Sequence, residues 1–441
     1  METVLAFVVG VLIIVVGLAV SIGLHEIGHL VPAKLFGVKV TQYMIGFGPT
    51  IWSKRRGETE YGIKAIPLGG YIAMIGMFPP GKGEQAGEGS TSFLRGMVQD
   101  ARASSAESIT PGDEHRAFYL LPVWKRVIVM FGGPLMNLLL AIVLFAILLM
   151  GFGVAQPSTT IGSVSECALP ATSERQTCEP GDPEAPGAEA GLQPGDELLS
   201  VDGTAIASWT ESTAIIRDHP GQPIDVVVLR DGEEVTLEVT PLLSERYVTD
   251  ERGRVVTDDA GEPVTVEVGF IGIGPASETV RQPATAILPT VGENITGVAN
   301  IILNLPQRMV DVAEAAFGPE ERDANGPISV VGVGRVAGEV ASLDEVPVAS
   351  RAAFLVGLLA SLNVALFVFN LIPLLPLDGG HIAGALWEAI RRGWAKLRRR
   401  PDPGPVDLAR LMPLTFAVVI VLGGMSALLI YADIVKPISV L

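Results

Sequence analysis

The chain has 441 residues, 49% of them hydrophobic and only 18% charged, and a formal net charge of -17. Positive mean hydropathy sets it apart from soluble domains, and the acidity excludes nucleic acid as a main partner, because phosphate backbones are held by clustered Lys and Arg. Its two cysteines, Cys167 and Cys178, are too few for a disulfide framework or a cysteine-based zinc site. One local disulfide in an oxidising compartment and two free thiols both stay open.

A bilayer core takes about 20 apolar residues in a helix, and four stretches qualify, within residues 1–33, 127–153, 351–383 and 411–432. The first lacks a basic leader and a small-residue cleavage site, so it reads as a retained helix and not a signal peptide. Residues 34–126 are rich in Lys and Arg, among them Lys54, Arg55, Arg56, Lys64, Lys82, Lys125 and Arg126. Residues 384–410 carry Arg391, Arg392, Lys396, Arg398, Arg399 and Arg400. Basic loops stay on the cytoplasmic side. The Asp- and Glu-rich stretch between the second and third spans is then extracytoplasmic, and so are both termini. The predicted fold is a polytopic α-helical membrane protein with four transmembrane helices.

Inside the first basic loop, about 60–78, the run Gly62 to Met77 is apolar, Gly-rich and too broken to span. Residues 154–241 predict a small β-rich domain. Its clearest signal is a hairpin, IDVVVLRDGEEVTLEVT, with Asp231-Gly232 at the turn. Residues 242–350 predict further strands with polar turns, then amphipathic helices over Ala284 to Phe317 lying near the membrane surface.

The chemistry concentrates in H-E-I-G-H, residues 25–29, at the end of the first apolar helix. Histidines at i and i+4 share one helix face, and Glu26 neighbours it. Two imidazoles and a carboxylate so arranged hold a metal ion and provide a general base. Ionisable groups at membrane depth ask for compensation, which a cation provides. A catalytic zinc takes a third protein ligand. The segment Asn370-Leu-Ile-Pro373-Leu-Leu-Pro376-Leu-Asp378-Gly379-Gly380-His381 offers Asp378, with His381 as a rival. Its prolines break the helix, which membrane proteins tolerate where backbone lines a cavity. Gly132-Gly133-Pro134 and Asn137 in the second span read as small residues for close helix packing.

HExxH in the first span and N-x-x-P…L-D-G-G in a later one together resemble the site-2 protease family of intramembrane metalloproteases. The string AGLQPGDELLSVDGTAI, residues 190–206, resembles PDZ domains of bacterial proteases, and a single such domain resembles the actinobacterial branch. The resemblance implies one Zn2+ held by His25, His29 and Asp378, with Glu26 as catalytic base. It also implies that Asn370 holds substrate backbone. The Gly69-Gly70-Tyr71 run resembles the family's membrane-reentrant hairpin, whose edge would pair with an unwound substrate. Implied partners are the bilayer, a single-span membrane substrate such as an anti-sigma factor or signal-peptide remnant, and a peptide at the PDZ domain, in regulated intramembrane proteolysis at a bacterial cell membrane. Two other classes compete. A membrane-anchored PDZ adaptor has no need of Glu26, and a metal-ion transporter is disfavoured because no inverted repeat is visible.

Overall fold

The computed structural model describes residues 2–80, 93–170, 173, 175, 177–248, 255–256, 263–319, 322–323 and 326–438. Lys82 of the basic loop, and residues 249–254 and 257–262 of the strand-and-turn stretch, fall outside that set. Two compact units emerge, residues 1–152 with 282–441, and residues 153–281.

The first unit opens with helix α1 (Glu2–Leu35), whose apolar residues are largely exposed, as a lipid-facing helix requires. Strands β1 (Val40–Arg56) and β2 (Thr59–Met74) follow. Each bends back on itself, so residues 42–45 lie between 60–63 on one side and 70–73 on the other. Residues 70–73 therefore form an edge of this small sheet. Its base is pinned by Leu30, Val40, Tyr43 and Met74 packed with Phe118 and Val129. Helix α2 (Phe93–Glu107) precedes α3 (Val123–Ala146), the second long apolar helix.

In the second unit, β3 (Val154–Val164) leads through a short turn, α4 (Pro186–Glu189), to β4 (Glu197–Val201) and β5 (Thr204–Ala205). Helix α5 (Trp209–Asp218) is capped by Ser208, whose hydroxyl accepts from the Glu211 amide. Strands β6 (Ile224–Arg230), β7 (Glu233–Val239), β8 (Leu242–Tyr247), β9 (Thr265–Phe270) and β10 (Ile273–Val280) complete it. The main sheet runs β10-β3-β4-β6-β7, with β5 on β4, and β8 and β9 form a separate pair. Alternate residues Ile224, Val226 and Val228 of β6 point into a core shared with Ile161, Leu198 and Ile216. The β6–β7 turn is Asp231-Gly232, both at positive φ (53° and 86°), the conformation of a two-residue hairpin turn. Cys167 and Cys178 are joined in a disulfide, so of the two states left open by the sequence the bonded one is found. The β-rich unit is longer than the 154–241 stretch read from the sequence, because β10 returns to pair with β3.

The first unit resumes with α6 (Ile287–Leu303), α7 (Leu305–Phe317), α8 (Val330–Ala341), α9 (Val348–Asn370), α10 (Asp378–Leu397) and α11 (Met412–Val435). Ala141 and Phe145 of α3 pack with Val291 of α6 and with Ala360 and Val364 of α9. Ile14 of α1 packs with Val333 and Ala337 of α8 and Leu355 of α9. Among the described residues, five helical stretches are long and apolar enough to cross a membrane: Thr3–Leu35, Val123–Phe152, Ala284–Leu303, Val348–Asn370 and Leu408–Val435. The sequence reading had four. Ala284–Leu303, read there as amphipathic, is the fifth and the least hydropathic. Residues 384–410, read as a loop, begin with two-thirds of α10. An arginine-rich solvent face does not stop a helix whose other face is apolar.

Candidate metal centre

His25 and His29 stand one turn apart on α1, facing α3 and the start of α10. The chain between α9 and α10 is broken by Pro373 and Pro376, neither of which can donate a helical N–H. Gly379 and Gly380 let that broken stretch fold closely over the first turn of α10. A Cβ at Gly380 would lie 2.6 Å from the Leu375 nitrogen. Asp378 thus becomes the first residue of α10, where an anion suits the helix N-terminus.

Its Oδ2 lies 3.2 Å from Nε2 of His25 and 3.2 Å from Nε2 of His29, and the two Nε2 atoms are 3.1 Å apart. Ligand atoms on a tetrahedral zinc at about 2.0–2.1 Å are separated by about 3.3 Å, so the triangle has the size of one face of such a site. The protonation pattern agrees. His29 Nδ1 lies 2.7 Å from the Val129 carbonyl, which only accepts, so that ring's proton is on Nδ1. His25 Nδ1 meets Asn137 Oδ1 at 2.6 Å. Among the described residues, Asp378 Oδ2 is a buried atom without a hydrogen-bond partner. Three electron-pair donors converging where they are largely withdrawn from water are unfavourable unless a cation lies among them. The residues fit zinc.

Glu26 is 8% exposed and His29 4%. The edge segment of β2 runs beside Glu26: a Cβ at Gly70 would lie 3.0 Å from Glu26 Cγ and 2.9 Å from Ile22 Cγ2. Gly69 takes φ +106° against the Phe47 ring. Tyr71 is stacked on Phe47, and its hydroxyl donates to Gln42 Oε1 at 3.3 Å. Asn370 turns its amide back to the Leu366 carbonyl of its own helix at 2.9 Å. His381 is outside the triangle, with its ring against Phe78.

Two contributors were missed as site residues. Asn137 touches His25, and Gly133 leaves room for both imidazoles: a Cβ there would lie 2.6 Å from His29 Cε1 and 2.8 Å from His25 Cε1. Only the density of small residues in α3 hinted at a close neighbour.

Residues 13–400 match peptidase family M50. The chain belongs to that family. It is 34% identical over 443 residues to "Zinc metalloprotease Rip1" of Mycobacterium tuberculosis, covering 98% of each chain. To the protein of the same name from Mycolicibacterium smegmatis it is 35% identical over 449 residues, covering 98% of this chain and 99% of the relative. "Metalloprotease MmpA" of Caulobacter vibrioides is 29% identical over 401 residues, with 87% and 88% covered. This M50 peptidase is an intramembrane zinc metalloendopeptidase carried by several apolar helices.

Proposed function

We propose that His25, His29 and Asp378 ligate the zinc and that Glu26 is the general base for hydrolysis of a peptide bond in single-span membrane proteins. The observation that carries this reading is the convergence of three electron-pair donors, spaced 3.1–3.2 Å apart, from buried His29 and half-buried His25 and Asp378, beside the buried carboxylate of Glu26. Zinc, when bound, acidifies water to a pKa near about 7 and polarises a carbonyl. Glu26 accepts a proton from the attacking water and passes it to the leaving amine nitrogen. A helical substrate hides its amides, so it must unwind to be cut. The β2 edge at residues 70–73, next to Glu26, supports strand addition as the means of holding it extended. Gly69 and Gly70 let that strand approach, and Tyr71 stiffens the hairpin. Asn370 stands near the break before Asp378 and orders substrate backbone.

The β-rich unit has a cavity of about 290 Å³ between α5 and the β9–β10 junction, lined by Trp209, Thr213, Ile216, Phe270 and Ile273. Beside the edge strand β10, this supports a PDZ-like peptide groove. Four crossings, with α6 not spanning, keep both basic stretches on the cytoplasmic side, the β-rich unit outside and the metal centre toward the cytoplasm. Anti-sigma factors and signal-peptide remnants are the substrate classes proposed, in regulated intramembrane proteolysis.

The test is Glu26→Gln in the full chain. Zinc content should stay at about one per chain, while cleavage of a transmembrane substrate falls about 10²- to 10⁴-fold. Uncut fragments that accumulate in membranes of cells carrying the variant name the substrate. Unchanged cleavage would refute the assignment.

A further inference from the structure

Behind the metal triangle, three polar side chains from three helices meet in the protein interior. Ser21 of α1, Asn137 of α3 and Asn363 of α9 are each 1% exposed. They join into one chain of hydrogen bonds. Asn137 Oδ1 meets His25 Nδ1 at 2.6 Å, and Asn137 Nδ2 donates to Asn363 Oδ1 at 3.0 Å. Asn363 Nδ2 donates to Ser21 Oγ at 2.9 Å and to the Leu359 carbonyl at 2.8 Å. Ser21 Oγ donates to the Gly17 carbonyl at 2.9 Å.

The far end of this chain fixes its direction. The carbonyls of Gly17 and Leu359 only accept. The single Ser21 proton goes to Gly17, so Ser21 must accept from Asn363. Both Asn363 amide protons are then used, and its oxygen faces Asn137. That oxygen only accepts, so Asn137 presents its NH2 to Asn363 and its oxygen to His25. The proton of His25 is thereby fixed on Nδ1, and the Nε2 lone pair points at the place where Asp378 Oδ2 lies 3.2 Å away. Reversing any one amide would set donor against donor or acceptor against acceptor in a dry interior, which is strongly unfavourable. On α1 alone His25 would have no such constraint.

We propose that Asn137 and Asn363, grounded on Ser21, are positioning residues that hold His25 in the one tautomer able to bind zinc. The relay rests on the ligand assignment proposed above and adds to it a device built from α3 and α9. It also ties the three helices together at the depth of the metal, so ligand orientation and helix packing are coupled.

The test uses the full chain in nanodiscs and reads zinc affinity by chelator competition, the visible spectrum of the cobalt-substituted protein, and the histidine tautomer by 15N NMR of the zinc-free protein. Asn137→Leu, similar in volume but without hydrogen bonding, should weaken zinc about 10- to 100-fold, shift the cobalt bands and release His25 into a mixture of tautomers. Asn137→Asp keeps an acceptor against His25 but sets a second oxygen against Asn363 Oδ1, so it should restore the Nδ1–H signal that Asn137→Leu loses without restoring the link to Asn363. Ser21→Ala removes only the far anchor and should give a smaller loss in the same direction, which keeps the proposal testable if Asn137→Leu does not fold. Asp378→Ala separates the two levels. If it keeps zinc, the ligand set is wrong and the relay falls with it. If it loses zinc while Asn137→Leu and Ser21→Ala bind as wild type with unchanged spectra, the relay alone is overturned.

Discussion

A single missing side chain decides whether the two imidazoles fit. Gly133 of α3 faces them so closely that a methyl group would sit 2.2 Å from His29 Nε2 and 2.8 Å from His25 Cε1. Overpacking of this kind costs about 1–3 kcal/mol. If it falls on ligand geometry, Gly133→Ala should weaken zinc roughly 5- to 150-fold, read by chelator competition, while far-ultraviolet circular dichroism stays native. Glu26→Gln should show the reverse pattern, full zinc and no cleavage. The residue scale is also where the sequence was most informative. His25, Glu26 and His29 form a local pattern, and a helix period turns their spacing into a shared face. Asp378 was legible because two prolines and two glycines surround it. Asn137 was not, because its partner His25 is 112 residues away and an asparagine in an apolar helix looks the same whether it packs or orients a ligand.

Pairs of elements are fastened by buried charges that no local pattern reveals. Arg126 near the start of α3 donates to Glu388 of α10 at 2.5 Å, and the Glu388 side chain is fully buried. The other Glu388 oxygen accepts from the Val406 amide at 2.9 Å. The pair fixes α10, and hence Asp378, against α3. Arg392, 38% exposed, also reaches the same oxygen at 3.1 Å, so removing Arg126 leaves Glu388 only a half-exposed partner and costs less than the about 3–5 kcal/mol of a fully stranded buried charge, while replacing both Arg126 and Glu388 by apolar groups is milder still. Arg126→Met should therefore shorten the half-life of the detergent-solubilised protein at a fixed temperature, and Arg126→Met with Glu388→Met should recover most of it. A comparable tie holds the β-rich unit. Asp196 accepts two bonds from Arg230, at 2.8 and 2.7 Å, and one from the Gln193 amide. The Arg230 bonds hold its carboxyl below the usual carboxylate range. A carboxyl lowered on folding stabilises above its unfolded pKa of about 3.9, and the contribution is lost as pH falls through the lower folded value. Hydrogen-exchange protection factors at Leu198, Val201 and Val226 in the full chain, corrected for the acid slowing of intrinsic exchange, should fall below about pH 4. Asp196→Asn should exchange faster at pH 7 and lose that acid-dependent step.

Counting the helices that cross the bilayer is a whole-molecule problem, and here sequence and structure divide. Local hydropathy marked four spans, and the length of α6 with its preceding turn adds a candidate. Hydropathy alone does not separate them, because a helix that crosses and one that lies on the surface differ in what surrounds them. The extent of the β-rich unit was hidden for a related reason: β10 pairs with β3 across more than a hundred residues, and only the folded chain reveals that closure. Charge favours four crossings. If α6 crossed, the basic stretch around Arg398, Arg399 and Arg400 would move to the side opposite the basic stretch of residues 34–126, against the distribution of Lys and Arg that sets orientation. Two single replacements read this directly. With four crossings, Glu345→Cys lies on the same side as Cys167 and Cys178, and Arg400→Cys lies on the other. With five, the assignments exchange. In intact cells, a membrane-impermeant maleimide should label Glu345→Cys and leave Arg400→Cys untouched until the membrane is opened. Cys167 and Cys178, labelled only after an impermeant reductant opens their disulfide, mark the outer side. Labelling of Arg400→Cys in sealed cells would instead put α6 across the bilayer.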